Sequence, residues 1–472
     1  MTDSGHGRRM FSATLPATEL GKPNLRLLDA EIVPTPQVPK FSLKNFSALT
    51  APSQRETYDW LNRSFWALTD QSLITVSNFA LNVLLARWLP QQEYGAFTVA
   101  FTIFLLLGAF HMAVIVEPMI VFGATKYNTR FSSYVTALLS GHWTFTTFSS
   151  FSLLAVAFVC QMTGSSTLAF ALVALALTSP CILSLFLLRG VCYVRSENLP
   201  LAAASGGVYL SVMMSGFALL FWRGWLSATS GIFIMGVANL VAAIWLAIRL
   251  PVQWRLGQDR QLRHEAFNNH WNYGRWSVAT YALIWVPENI YYLLLPLWGG
   301  LGMSAVLRAL MNLLMPLMRL YSALSPLLLT AFAHAQSQTR SRQAQLSLVV
   351  LILGAVVYWL ILGSFSAQLL SWFYGGQYSE YGNFLWLLGL VPLGLGVTTV
   401  LSAVLRALER PDLVFWAQAF ATVVTLTLGV GLVWCWGVKG AIYGVSLSGA
   451  TGALAMWVFS RRVRWSETKD LA

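Results

Sequence analysis

Apolar residues run along this chain in blocks, and polar residues gather in the gaps between them. The blocks lie at about 66–88, 96–122, 132–160, 166–188, 199–222, 228–248, 274–298, 302–330, 346–373, 383–405, 412–435 and 439–460. Each is long enough to cross about 30 Å of hydrocarbon as a helix rising about 1.5 Å per residue. No series of alternating ten-residue segments is present, so helices are expected rather than a transmembrane barrel. The pattern predicts an all-α polytopic membrane protein with about 12 transmembrane helices, in two six-helix lobes around a central cavity.

Composition strengthens this reading. Of 472 residues, 56% are apolar and 10% charged, with 20 Trp. A soluble domain carries about 25% charge, so a water-soluble enzyme of this size is excluded. Residues 1–60 are rich in Pro, Ser, Thr and charge, and are expected to form a disordered cytoplasmic tail with no signal peptide. The expected domains are an N-terminal lobe at 61–250, a cytoplasmic inter-lobe loop at 251–273, a C-terminal lobe at 274–464 and a short cytoplasmic tail at 465–472. Cys160, Cys181, Cys192 and Cys435 show no CxxC spacing, so neither a disulfide framework nor a zinc site is expected.

The net charge of +12 is informative through its placement. With both termini in the cytoplasm, 25 Lys and Arg fall in inner segments and three, Arg87, Arg223 and Lys439, in outer ones. This is the positive-inside bias of a multi-pass membrane protein. It orients the helices, and nucleic acid is not an expected partner. Weak internal similarity links the halves. Leu84-Leu85-Ala86-Arg87-Trp88 parallels Leu294-Leu295-Pro296-Leu297-Trp298, and Leu188-Arg189-Gly190 parallels Leu405-Arg406-Ala407.

Polar residues inside the blocks are the candidate site, because their insertion into hydrocarbon is costly. In the first span Gln71, Thr75, Asn78 and Asn82 share one helix face within about 60°; such a stripe faces a wet cavity or a partner helix. In the eighth, Arg308, Asn312 and Arg319 share a stripe, with Arg308 about 9 Å and Arg319 about 25 Å from the outer end. Each arginine near the bilayer centre costs roughly 2.5–3.5 kcal/mol, so a partner or water is expected. Glu288 in the seventh span follows Pro287, a helix-bending residue, and lies among Tyr281, Trp285 and Tyr292. Two readings stay open: a structural Arg319–Glu288 ion pair, or a cationic, aromatic-lined cavity. In the second, Arg308, Asn312 and Arg319 face water and bind an anion through guanidinium forks that match phosphate, with Glu288 as counter-ion or coupling group.

Asp70 and Glu117 are expected near the cytoplasmic interface, as capping or interfacial groups. His111 and His142 are expected as isolated packing histidines. The stripes Thr399, Ser402, Arg406 and Gln418, Thr422, Thr425 are expected as helix-to-helix hydrogen bonds. No phosphate loop, HExxH or nucleophile elbow is present. With every outer loop short, no enzyme, cofactor or metal is expected.

The run DQSLITVSNFALNVLLARWLPQQEYGAF, from Asp70 to Phe97, resembles the first span and outer loop of Wzx-type polysaccharide flippases. These belong to the multidrug/oligosaccharidyl-lipid/polysaccharide exporter superfamily. Glu117-Pro118-Met119 and the Leu405–Pro411 run are further echoes, and the resemblance extends over roughly 60–460. It implies twelve to fourteen helices, alternating access and an undecaprenyl-pyrophosphate-linked oligosaccharide carried from the cytoplasmic to the periplasmic leaflet for polysaccharide biosynthesis. It also implies membrane lipids, a polysaccharide polymerase and glycosyltransferases as partners. Basic cavity residues of such flippases correspond here to Arg308 and Arg319 by role, without a matched motif. The alternatives are a multidrug or cation exporter of the same fold and, from another class, a membrane glycosyl polymerase or ligase.

Overall fold

A computed structural model describes residues 54–252 and 260–462. The elements run in order α1 (Gln54–Trp88), α2 (Gln91–His111), α3 (Glu117–Ala124), α4 (Phe131–Met162), α5 (Ser166–Val194), α6 (Leu199–Trp222) and α7 (Ala228–Arg249). The second half continues with α8 (Arg260–Gly299), α9 (Leu301–His334), α10 (Ser337–Ser364), α11 (Ser366–Tyr374), α12 (Leu385–Leu388), α13 (Leu390–Ala407), α14 (Pro411–Val424) and α15 (Val430–Arg462). No strand occurs among the described residues. Among the described residues, ten helical stretches are long and apolar enough to cross a membrane. One of them, Pro411–Arg461, is 51 residues long, too long for one crossing, and its helix breaks at Gly437 (φ 57°, ψ −127°). Dividing it there and adding the 35-residue α1 reaches the twelve expected.

Two boundaries differ from the sequence reading. α1 begins at Gln54, within the segment expected as tail, while residues 1–53 and the tail at 465–472 lie outside the described residues. α8 begins at Arg260, so residues 260–273, expected in a loop, are helical; residues 253–259 lie outside the described residues. Polar side chains in that first part of α8 hid a helix whose apolar content rises only later.

From Trp60 onward the helices form one compact unit. In the first half α5 packs on α4 and α7, and α6 on α7; in the second, α13 packs on α9, α10 and α15. The halves meet along α2 and α9, and α8 reaches across to α2, α3 and α4. One end of the molecule carries Lys126, Arg195 and Arg340 and is called here the basic end; the other, with Arg87, Gln91 and Gln377, is called the seam end. The largest apolar core joins both halves, from Leu81, Tyr94, Leu310 and Tyr374 at the seam end to Tyr127, Tyr134, Leu262 and Ala266 at the basic end. Toward the basic end the second half has a separate core around Tyr321, Leu351 and Val400.

Prolines within the helices explain much of the cross-helix hydrogen bonding. A proline has no N–H for the carbonyl four residues back, and in a membrane that carbonyl needs another donor. Pro180 frees Ala176 O, which accepts from Ser150 Oγ at 2.7 Å. Pro287 frees Leu283 O, which accepts from Thr422 Oγ1 at 3.0 Å. Pro296 frees Tyr292 O, which accepts from Ser304 Oγ at 2.9 Å. Pro118 follows a π-helical turn, Met112–Val116, and frees Val114 O for His270 Nδ1 at 2.9 Å. Each missing intrahelical bond is thereby replaced by a tether to a neighbouring helix.

Candidate functional site

The two halves of α9 live in different surroundings. From Ser304 to Leu314 eleven consecutive residues are buried on every face of the helix. Beyond that, Arg319, Leu320, Ser322 and Ala323 are exposed while Leu317 and Tyr321 stay packed. The buried part faces α2, which is itself buried from Tyr94 to Thr102. Their approach is so close that a Cβ on Gly95 would lie 1.9 Å from the Leu301 carbonyl oxygen, so only glycine fits there. Alongside, Arg87 donates to Trp372 O at 2.6 Å, Gln91 to Gln377 O at 3.0 Å, and Gln377 to Arg87 O at 3.1 Å.

The predicted cationic stripe divides between these environments. Arg308 is 3% exposed, in the seam. Its Nε donates to Asn82 Oδ1 at 3.1 Å, and its guanidinium lies 5.0 Å from the Phe101 ring and 5.3 Å from the Tyr292 ring. Cation–π contacts of this kind are worth about 2 kcal/mol when desolvated. Asn312, also buried, donates to Tyr94 Oη at 3.0 Å. The expectation that Arg308 and Asn312 face water is therefore corrected: residues of α1, α2 and α8 cover them. Arg319 is exposed, as expected of the cavity reading.

The Arg319–Glu288 ion pair is likewise corrected. The ion pairs among the described residues are Lys126–Glu265, Arg189–Asp70 and Arg410–Asp412. Arg319 is near enough for its charge to act on Glu288 without contact. Glu288 is itself exposed. On the same helix Tyr281 is half-buried and Trp285 buried, its indole N–H without a hydrogen-bond partner. Burial takes Trp285 away from a ligand-facing role in this conformation.

On α1, Gln71 is exposed and donates to Tyr193 Oη at 3.2 Å. Asn78 accepts from Tyr209 Oη at 3.4 Å, and Asn82 Nδ2 donates to Asn78 O at 2.8 Å. The stripe thus ties α1 to α5 and α6 before reaching Arg308.

Three polar clusters escaped the sequence reading. Asp70 is no interfacial cap: it is fully buried, with Arg189 Nε and Nη2 donating to its carboxylate at 3.1 and 2.6 Å and Tyr193 Oη at 2.7 Å. Arg189, which ends an apolar block and is one of the 25 cations expected in inner segments, is 8% exposed inside α5. His111 and His142 are not isolated but 3.0 Å apart, and His142 Nε2 lies 3.0 Å from Ser184 Oγ. Ser184 donates to Pro180 O at 2.7 Å, so in the neutral chain the donors run His111 to His142 to Ser184. That leaves His111 Nδ1 as a buried acceptor without a partner. Finally, Glu117 on α3 accepts from Tyr273 and Ser277 on α8, while Tyr134 donates to His270 Nε2 at 2.6 Å and Asn269 to Tyr127 Oη at 2.7 Å. Pro118 was the one sequence signal for this contact, since it announces a free carbonyl at Val114. At its exposed edge Glu265 meets Lys126 at 2.8 Å and holds the lysine ammonium above its ordinary pKa through that hydrogen bond.

No family profile and no curated protein matches the sequence. Among solved structures, the chain is similar to the inward-facing conformation of a multidrug resistance MATE family transporter of the MOP superfamily, with TM-score 0.66, 12% identity, and coverage of 84% of this chain and 97% of that one. An outward-facing conformation of such a transporter gives TM-score 0.59 at 12% identity, covering 86% and 95%. The lipid II flippase MurJ in an inward closed conformation gives 0.68 at 12% identity, covering 84% and 87%. The likeness extends over most of each chain, and the fold of this protein is that of these MOP-superfamily transporters.

Proposed function

We propose that the protein is an alternating-access flippase that moves an undecaprenyl-pyrophosphate-linked oligosaccharide from the cytoplasmic to the periplasmic leaflet for polysaccharide assembly. One observation carries this reading: Arg319 is an accessible cation at the point where α9 leaves the buried seam, with no carboxylate in contact. A guanidinium at membrane depth calls for water or an anion, and its fork matches the paired oxygens of a pyrophosphate. The charge bias assigns the basic end to the cytoplasm and the seam end to the periplasm. A closed seam and an accessible Arg319 then describe an inward-facing state, in keeping with the higher score against the inward-facing MATE transporter than the outward-facing one. MurJ, whose cargo is lipid II, lends the same fold to a lipid-linked substrate. Carrying about two negative charges outward down an inside-negative potential of about 100 mV would release roughly 4.6 kcal/mol.

The test is surface polysaccharide in a deletion strain complemented with variants at equal membrane levels. Arg319→Ala should abolish export, and Arg319→Lys should retain part of it, since it keeps the charge but loses the planar fork. Wild-type export by Arg319→Ala would end the assignment. Glu288 favours a second reading, a cation exporter: it is an accessible carboxylate not contacted by Arg319. Extrusion of a cationic dye from proteoliposomes that Glu288→Gln abolishes and Arg319→Ala leaves intact would select that reading.

A further inference from the structure

Arg308 has an arrangement that its neighbour on the stripe lacks. It has five N–H donors, and the closed seam offers Nε one neutral acceptor, Asn82 Oδ1. That acceptor is aimed deliberately by its own chain: Asn82 Nδ2 is occupied by Asn78 O one turn back, which turns the amide oxygen toward the arginine. Asn82 and Phe101 belong to the first half of the chain, whereas Tyr292 belongs with Arg308 to the second. A motion that carries α1 and α2 together away from α9 removes Asn82 and Phe101 and leaves the guanidinium stacked on Tyr292 alone. Asn312, one turn further along, loses Tyr94 in the same motion. Tyr374 meanwhile donates to Ala309 O at 2.9 Å, and Tyr358 to Leu313 O, so α9 stays with the second half.

We propose that Arg308 is a second, conditional anion station: Asn82 occupies it while the seam is shut, and the pyrophosphate takes it over when the seam opens. This rests on the flippase reading above. The cargo would load at Arg319 from the basic end and pass along one face of α9 to Arg308, eleven residues or about 16 Å away. A neutral amide suits a temporary partner, because an anionic phosphate makes the stronger, charge-assisted bond and displaces it. A carboxylate at position 82 would instead form a buried ion pair that is hard to part. The latch also prevents early competition: while the basic end is open, Arg308 is covered and only Arg319 receives the anion.

The experiment separates loading from passage. In a background without the native cysteines, Gln91→Cys/Gln377→Cys is held by a bifunctional thiol reagent, fixing the seam shut. Binding of farnesyl pyrophosphate is measured on that locked protein, and transport of a fluorescent farnesyl pyrophosphate analogue on unlocked protein in proteoliposomes. Arg319→Gln should weaken locked-state binding at least about tenfold, as expected for losing a charge-assisted pair. Arg308→Gln should change that binding by less than about twofold yet slow transport about tenfold. Asn82→Asp, which keeps the packing volume, should also slow transport about tenfold and make the seam cysteines react faster with the reagent. Equal loss of locked-state binding in Arg308→Gln and Arg319→Gln would overturn the two-station proposal while leaving the flippase reading in place. Normal transport by Asn82→Asp would overturn it too, even if Arg308→Gln fails to fold. Locked-state binding unaffected by Arg319→Gln would bring down the pyrophosphate reading, and the relay with it.

Discussion

At the seam end α2 meets α9 almost backbone to backbone, with Gly95 against the Leu301 carbonyl, whereas at the basic end α8 meets α2, α3 and α4 through hydroxyls, a carboxylate and an imidazole. The first joint is closely packed, with Arg308 and Asn312 hydrogen-bonded across it, and interiors of that density do not deform gradually. The second is polar, and Glu117, Tyr273 and Ser277 are each only half-buried. Water can replace such bonds, which contribute about 0.5–1.5 kcal/mol each. A joint of the first kind is either closed or parted; one of the second kind can be exchanged contact by contact. α8 belongs to both, since its first part is tethered to the first half of the chain while Tyr291, further along, packs against Gly429 and Gly444 of the second. Between these attachments stands Pro287, where α8 lacks a bond of its own.

The comparison breaks most sharply at Gly95. Gly95→Leu puts side-chain atoms where the Leu301 backbone already is, and α2 is buried from Tyr94 to Thr102 while α9 is buried from Ser304 onward, so the helices have little room to yield. The seam should fail to close and transport should be lost. Thiol crosslinking between positions 91 and 377 reads this directly, with an expected fall of more than about tenfold in yield, a shift of more than about 1.4 kcal/mol. Wild-type crosslinking in Gly95→Leu would mean that the seam is softer than its geometry, and the contrast between the two ends would collapse.

A smaller effect is expected at Glu117. Ser277→Ala and Tyr273→Phe each remove one donor to its carboxylate. A bond to a charged group contributes about 1.5–3 kcal/mol when buried; half-exposure lowers the expectation to about 1 kcal/mol. Thermal unfolding in detergent should show a modest destabilisation by either variant, with crosslinking at the seam unchanged. A loss as large as that from Gly95→Leu would show that the basic end is as rigid as the seam.

How much of this the sequence disclosed follows from the range of each interaction. Hydrophobic blocks report on the solvent around a helix, so the spans could be read locally, as could the positions of Arg308, Asn312 and Asn82 inside them. The partners could not. Asn82 and Arg308 are 226 residues apart, and no helical periodicity reveals that one stripe faces the other. The same blindness hid Asp70 with Arg189, because an arginine near the end of an apolar block reads as a loop cation until a buried carboxylate is found beside it. Prolines form the intermediate case. Pro118, Pro180, Pro287 and Pro296 tell which carbonyls need a donor, though not that His270, Ser150, Thr422 and Ser304 supply it. Burial divided the cationic stripe in two, and it depends on the conformation of the whole chain.

The smallest effect sharpens the comparison from the exposed edge of the polar joint. Lys126 and Glu265 form an ion pair at 2.8 Å with side chains 47% and 38% exposed. Solvent screens such a pair, so Lys126→Gln should leave thermal stability and transport unchanged at neutral pH. Because the lysine pKa is raised in the folded protein, whatever the pair contributes is complete below the unfolded value of 10.5 and is lost as pH climbs through the higher folded value. Wild type and Lys126→Gln should therefore show the same stability profile through neutral pH, any small difference closing only in strong alkali. A profile for Lys126→Gln that diverges from wild type near neutrality would mean that the polar joint draws its strength from this pair, and that the hydroxyl and imidazole bonds behind it are secondary.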